Sequence, residues 1–414
     1  MKDIFVNKVN SFQRFFLILL VINPVIDILN GIQEYVIRSS TPLSVGQVVR
    51  LIIFLLIVFY YIKMKPINIV FLSALMFLFL AQQLILANLK GINIVQETLF
   101  ISKIYYNILL ALIINSCASH INRDRLIDGI IKGGMIVAVT LIVTRVFNIG
   151  VGAYGEVGHK GLFMGLNDIT AVLMSALPFV LYKILHGGRK RYVIYYLLIL
   201  MSLILLGTKT GVIGSVVITL YYLLVSKSFS RAFLKKIALW GVCIIGAMTF
   251  FVFFYKEYSE TILLRYKYFY YQLDPVSFLL SSRNMTLIWA FSNWINNLLY
   301  IVFGTGFTQG SIIIGQYLTG HGMIEMDLFD IGYFYGIFAF IGVVWLFFPS
   351  FVQGVKSLIV NKDSEYATVS LAYIITFIIS VTGGHVLLSP LAGVYFIAIF
   401  GLLKSYRVRI SNEE

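Results

Sequence analysis

Residues 328–351 read LFDIGYFYGIFAFIGVVWLFFPSF, with a single charge, Asp330, in 24 residues. Crossing roughly 30 Å of hydrocarbon takes about 20 apolar residues, so this stretch is long enough to span a membrane. Eleven other runs resemble it, near 15–33, 48–63, 66–86, 99–117, 128–147, 167–184, 192–206, 208–226, 236–254, 366–384 and 388–404. The seventh and eighth nearly touch at Gly207–Gly211. In lipid only helices satisfy every backbone polar group internally. The fold class predicted is therefore an all-α polytopic membrane protein of about twelve spans, one membrane domain over 1–414.

Composition agrees. The 414 residues are 59% hydrophobic and 12% charged, about half the charge fraction of a soluble domain. So much apolar surface does not fit inside one water-soluble core. The net charge of +14 does not point to nucleic acid, because the basic residues cluster between apolar runs, where they set orientation and meet anionic lipid. Cys117 and Cys243 fall in or beside apolar runs, so neither a disulfide nor a cysteine metal site is expected. Lys2, Lys8 and Arg14 precede the first apolar run without a small-residue cleavage site after it, which makes that run a span rather than a signal peptide.

With the N-terminus placed inside, the segments that alternate to the inner face hold twenty Lys and Arg residues. The short outer segments hold Arg38, Lys90, Lys160 and Lys209, and the long outer segment 255–327 adds Lys256, Arg265, Lys267 and Arg283. Arg50, Lys103, Lys132 and Arg145 lie within spans or at their ends. This bias places both termini in the cytoplasm. The long segment lies between the ninth and tenth spans. It carries Tyr255, Tyr258, Tyr266, Tyr268, Tyr270 and Tyr271, then the apolar stretch Thr286–Val302, then the Gly-rich Gly304–Gly322. It reads as a large, partly helical outer loop with an amphipathic helix on the membrane surface, serving either as an aromatic belt or as a cradle for a lipid substrate.

No P-loop, dinucleotide fingerprint, HExxH or CxxC pattern is present, so no cofactor is expected. The chemistry must rest on isolated polar groups. Lys209, in Gly207-Thr-Lys-Thr-Gly211, stands among glycines and hydroxyls beside a helix start. That setting suits phosphate, or a turn whose Lys reaches for water. In Gly320-His-Gly-Met-Ile-Glu-Met-Asp-Leu-Phe-Asp330, His321 and Glu325 would share a helix face, and either could be a general base. Asp327 and Asp330 bring negative charge to a helix start, where it offsets the dipole. Arg283, after Ser281 and Ser282, and Arg265 upstream present planar forks suited to phosphate oxygens or to lipid headgroups. His385, in Gly383-Gly-His385, is a ligand-binding or a packing residue. Lys160 lies in Gly158-His-Lys-Gly, ahead of Asn167, a candidate helix cap. All of these fall on the outer face of a topology derived without them. Cations and a possible base on one face suit an anionic, phosphate-bearing substrate.

The order of these motifs resembles the O-antigen ligase / O-antigen polymerase superfamily of bacterial surface-polysaccharide enzymes. Gly161-Leu-Phe163 with Asn167 matches a Gly-x-Phe…Asn segment before the sixth span. Thr208-Lys-Thr-Gly211 stands where the family has a Ser-Arg-Gly-like turn, with Lys209 in place of its Arg. Phe303-Gly-Thr-Gly-Phe307 matches a Gly-x-Gly-like segment, and Asp327–Ile337 the Gly–aliphatic span. Counted back from Gly336, the family's His-Asn pair falls on Glu325-Met326, with His321 four residues earlier. The resemblance covers most of residues 150–404 and is closer to capsule or exopolysaccharide polymerases than to ligases of lipid A-core.

It implies a metal-independent, inverting glycosyltransferase of the bacterial inner membrane. The donor would be an undecaprenyl-pyrophosphate-linked oligosaccharide and the acceptor a sugar hydroxyl, with membrane lipid and a chain-length regulator protein as further partners. Glu325 or His321 would take the acceptor proton. Arg283, Lys209 and Arg265 would stabilise the leaving pyrophosphate, with Lys160, Asn167, Asp327 and His385 also lining the substrate. Other readings are a ligase of the same superfamily, a lipid-linked oligosaccharide flippase or transporter, and a metal-dependent polyprenyl-phosphate-sugar transferase using Asp27 and Glu34, or Glu325 with Asp327.

Overall fold

The computed structural model describes residues 2–37, 44–64, 82, 94–154, 157–187, 190–225, 267, 271, 273–317, 322–360 and 364–413. The runs predicted at 66–86 and 236–254, and Arg265, His321, Cys243 and the tyrosines from Tyr255 to Tyr270, lie outside these residues, Gln82 and Lys267 excepted. The other ten runs are helices. They are α1 (Lys2–Gly31), α2 (Val45–Met64), α3 (Ile94–Ser116), α4 (Arg123–Val146), α5 (Leu166–Gly187), α6 (Lys190–Leu206), α7 (Lys209–Val225), α12 (Asp327–Val360), α13 (Glu365–Thr382) and α14 (Pro390–Glu413). Eight of them are long and apolar enough to cross a membrane. The chain is an all-α polytopic membrane protein with one small addition, an antiparallel hairpin of β1 (Val151–Tyr154) and β2 (Val157–Gly161) between α4 and α5.

α5 and α14 form the centre. Thirteen consecutive residues of α5, Ile169 to Leu181, are buried, and so is α14 from Leu391 to Leu403. A helix apolar all round is buried on all sides, and the neighbours of these two, α4, α13 and α3, pack against them. One membrane-depth charge finds its partner at once: Arg50 of α2 pairs with Asp27 of α1. A buried ion at this depth is retained only when paired or hydrogen-bonded.

Among its described residues, the long segment before α12 forms four short helices: α8 (Pro275–Leu280), α9 (Arg283–Ile295), α10 (Leu298–Phe303) and α11 (Phe307–Tyr317). Two devices fasten it to the bundle. The buried Glu97 of α3 accepts from the N–H groups of Phe307 and Thr308, at 2.8 and 2.9 Å, and so caps α11 from another helix. A carboxylate there satisfies orphan donors and the helix dipole together. The second device is a break in α12. Gly336 has φ +84° and ψ 176°, far from helical values. The carbonyls of Tyr333 and Phe334 are answered by the N–H groups of Thr305 and Gly306, both at 2.9 Å. Gln82 adds a third donor, to the Phe334 carbonyl. Broken helices at membrane depth persist only where neighbours replace the lost bonds.

The fit of Gly304-Thr-Gly306 against the break needs glycine on both sides. A Cβ on Gly304 would stand 2.1 Å from the Phe334 carbonyl oxygen, and one on Gly336 would stand 2.2 Å from that of Val302. Gly336→Ala adds a strained φ/ψ to that clash. It is expected to destabilise the protein by about 2–4 kcal/mol, read as a lower Tm in detergent, while Gly342→Ala, with open space around it, serves as the unperturbed control.

Candidate functional site

The motifs singled out in the sequence meet at one end of the bundle, where α3, α5, α7, α12 and α14 begin. At its centre is a turn at Glu325. The spacing of His321 and Glu325 predicts a shared helix face, but α12 starts only at Asp327, and Glu325 has φ +62°. The cause is Asp330. Its buried carboxylate accepts from the N–H of Ile324 at 2.9 Å and from that of Met326 at 3.0 Å, the residues on either side of Glu325. These two bonds draw the flanking amides into the helix start and turn Glu325 outward. Asp330, read from sequence as a dipole offset, therefore shapes the site.

Asp327 holds the opposite wall. Its carboxylate accepts from the Ser380 hydroxyl and from the backbone N–H groups of His385, Val386 and Leu387, each at 2.7 Å. It is fully buried, so its part is to bind the last turn to α12, not to face a ligand. The turn then packs on Glu325 so closely that a Cβ on Gly384, whose φ is +67°, would stand 2.3 Å from the Glu325 carbonyl oxygen. Asn167 does not cap its own helix; its amide donates to the Gly383 carbonyl at 3.0 Å. Asp168, next to it, accepts from Ser389 at 2.8 Å. Asp327→Asn leaves part of a buried donor set without an acceptor, at a cost of about 1–3 kcal/mol. The expected sign is a lowered Tm, with hydrogen exchange rising first across residues 383–389.

The cations arrive from α7 and α9. Thr208 caps α7 by accepting from Gly211 N–H at 3.2 Å and meets the Thr170 hydroxyl at 3.3 Å. This fixes the next residue, Lys209, whose ammonium donates to the Phe278 carbonyl and lies 4.4 Å from that ring's centroid. Asp274 caps α8 by accepting from the N–H groups of Val276 and Ser277, and the Ser277 hydroxyl together with these amides holds its carboxyl below the usual carboxylate range. Ser281 and Ser282 then take left-handed φ of +54° and +65°, turning the chain between α8 and α9. Asn284 secures the corner through Ser277 at 2.8 Å. Arg283, the first residue of α9, reaches Glu325 with two donors, Nε at 3.1 Å and Nη2 at 2.6 Å, both to Oε2. This ion pair is half-buried, with side-chain exposures of 16% and 29%.

Lys160 belongs to the hairpin side, where its ammonium donates to the Tyr35 hydroxyl at 3.2 Å and the Met164 carbonyl at 3.3 Å. Its neighbour His159 bonds Thr144 at 3.0 Å, and burial, with Arg145 nearby, pushes the imidazole down to about 4. The structure thus joins Arg283, Glu325, Lys209, Asn167, Asp327 and His385 through direct contacts or shared turns.

A groove of about 230 Å³ opens beside the pair. Leu287, Phe291 and Trp294 of α9 face Ile324, Phe329 and Tyr333 across it. It starts one helical turn beyond Arg283 and immediately before Glu325, and its lining is apolar. Neither the groove nor the hairpin was visible in the sequence as such, though Leu287, Phe291 and Trp294 do recur at helical spacing after Arg283.

No curated protein matches the chain in sequence. A family model, "O-antigen ligase like membrane protein", matches residues 9–268, a stretch that takes in Lys160, Asn167, Lys209 and Arg265 and ends before Arg283. Matched over more than half its length and built as a multi-pass helical bundle, the chain belongs to the O-antigen ligase like membrane protein family.

Proposed function

We propose that the chain is a surface-polysaccharide polymerase of the bacterial inner membrane, with both termini cytoplasmic and Glu325 facing outward. It transfers a glycan from an undecaprenyl-pyrophosphate donor to a sugar hydroxyl of a lipid-linked acceptor. The observation that carries this reading is the Arg283–Glu325 pair beside an apolar groove lined by Leu287 and Ile324: a cation, a proton acceptor and a place for a lipid chain, side by side.

The resting pair gives the reaction an order. Arg283 is occupied by Glu325, and an incoming pyrophosphate carries more negative charge and more acceptor oxygens than a carboxylate. Donor binding draws the guanidinium onto the pyrophosphate and releases Glu325. The first part of the polyprenyl chain lies along Leu287, Phe291 and Trp294. The acceptor oxygen then attacks the anomeric carbon from the face opposite the pyrophosphate, the bond from that carbon to the pyrophosphate oxygen breaks, and the configuration inverts. The acceptor's proton passes to Glu325. Charge developing on the leaving pyrophosphate is met by Arg283, and by Lys209 at the N-terminus of α7, donors fixed before the reaction begins. Asn167 and His385 border the saccharide, and Asp327 and Asp330 hold Glu325 in place. A ligase of the same family would use the same donor half.

The test is transfer by the purified protein from a synthetic polyprenyl-pyrophosphate oligosaccharide. Lengthened lipid-linked glycan with release of polyprenyl pyrophosphate, undiminished in EDTA, supports the reading. Loss of transfer in EDTA favours a metal-dependent transferase, and transfer only to a lipid A-core acceptor favours a ligase.

A further inference from the structure

At the other end of the bundle α1 and α2 leave an open groove of about 430 Å³, lined by Asn7, Asn10, Ser11, Arg14, Phe15, Ile18 and Tyr60. Its upper level is polar. The Ser11 and Tyr60 hydroxyls meet at 3.0 Å, and Phe15 stacks on Tyr60 with centroids 5.1 Å apart, which fixes the floor. Lys8, between Asn7 and Asn10 in sequence, donates to the Lys63 carbonyl at 3.2 Å and ties α1 to the end of α2. No acidic side chain lines the groove. Among the described residues, the side chains of Asn7, Asn10 and Arg14 have no hydrogen-bond or ion-pair partner.

The lower level is apolar. Ile18, Ile22, Val25 and Leu29 follow Arg14 down one exposed face of α1, and Ile52, Leu55, Leu56 and Phe59 of α2 are exposed as well. Polar donors around a cation, continued by an exposed apolar face along the helix axis, match one molecule: a phosphate headgroup with an acyl chain. A free anion would use only the upper half, and a soluble partner would leave the apolar face uncovered.

We propose that this groove is a binding site for an anionic glycerophospholipid of the leaflet at this end of the bundle. Arg14 takes the phosphate, with the amides of Asn7 and Asn10 supplying further donors, and an acyl chain lies along Ile18. The basic excess of the same end draws such lipids to it. The site is independent of the transfer chemistry at the opposite end.

Thermal unfolding of the purified full chain in detergent tests it, with dioleoylphosphatidylglycerol, dioleoylphosphatidylcholine or inorganic phosphate added. The expected result is a rise in Tm with phosphatidylglycerol alone, and a half-saturating concentration about tenfold higher in Arg14→Gln, the loss of one charge-assisted contact. Asn10→Ala, an exposed position, is expected to shift it in the same direction if Arg14→Gln folds poorly. Equal stabilisation by phosphatidylcholine, an unchanged midpoint in both variants, or the full effect from inorganic phosphate would each overturn the proposal. Because the readout involves no glycan transfer, failure here leaves the enzymatic reading untouched.

Discussion

Arg283→Ala is expected to lower glycan transfer by about 10²–10³-fold while the protein still inserts and folds. One preorganised donor aimed at developing charge contributes on that order. Arg283 supplies two N–H groups to one carboxylate oxygen in the resting state, and the same fork is free to take two pyrophosphate oxygens once the donor arrives. Folding should tolerate the change, because Arg283 is the first residue of α9 and its side chain makes contact with a partly exposed partner rather than with the core. Arg283→Lys keeps the charge and loses the planar fork, so it should recover only part of the rate. The check is the initial rate of transfer with purified variants matched for Tm, backed in cells by glycans arrested at single repeat units. Chain lengths of the parent protein in Arg283→Ala would remove Arg283 from the site.

Glu325→Gln should cost about 10²–10⁴-fold in kcat, the range for a general base. The informative part is KM for the donor. If the carboxylate competes with pyrophosphate for Arg283, the amide competes less, and donor KM should stay level or fall as kcat collapses. A residue that merely supported the fold would raise KM or lower Tm instead. The two substitutions should also fail to add: Arg283→Ala with Glu325→Gln is expected to be little worse than the more severe single change, because the pair acts as a unit. Independent, multiplicative losses would mean that the ion pair is only a surface contact.

The helices were legible because lipid imposes a simple rule: every apolar run that falls on described residues is helical, and eight of those helices are long and apolar enough to cross a membrane. The break in α12 was not. Gly336 is one of three glycines in the run 328–351, and what singles it out is a backbone segment some thirty residues earlier, Gly304-Thr-Gly306, docking on its freed carbonyls. Glu325 stood out in the sequence, but the spacing gave the wrong conformation for it. Helical spacing from His321 assumes that the helix begins early, whereas Asp330 claims the amides on both sides of Glu325 and delays it to Asp327. Asp327 illustrates a related gap. A carboxylate near polar motifs suggests a ligand, and only the fold reveals four donors converging on it from Ser380 and the 385–387 turn. The meeting of Arg283 with Glu325, 42 residues apart, depended on two left-handed serines whose turn the composition of 281–283 did not disclose.

The most direct measurement is a structure of the chain with undecaprenyl pyrophosphate bound. The expected result is a pyrophosphate held by Arg283 and Lys209, Glu325 released from the guanidinium, and the first isoprene units along Leu287, Phe291 and Trp294. A pyrophosphate bound elsewhere, with the Arg283–Glu325 pair unbroken and the groove filled by α9 side chains, would contradict it.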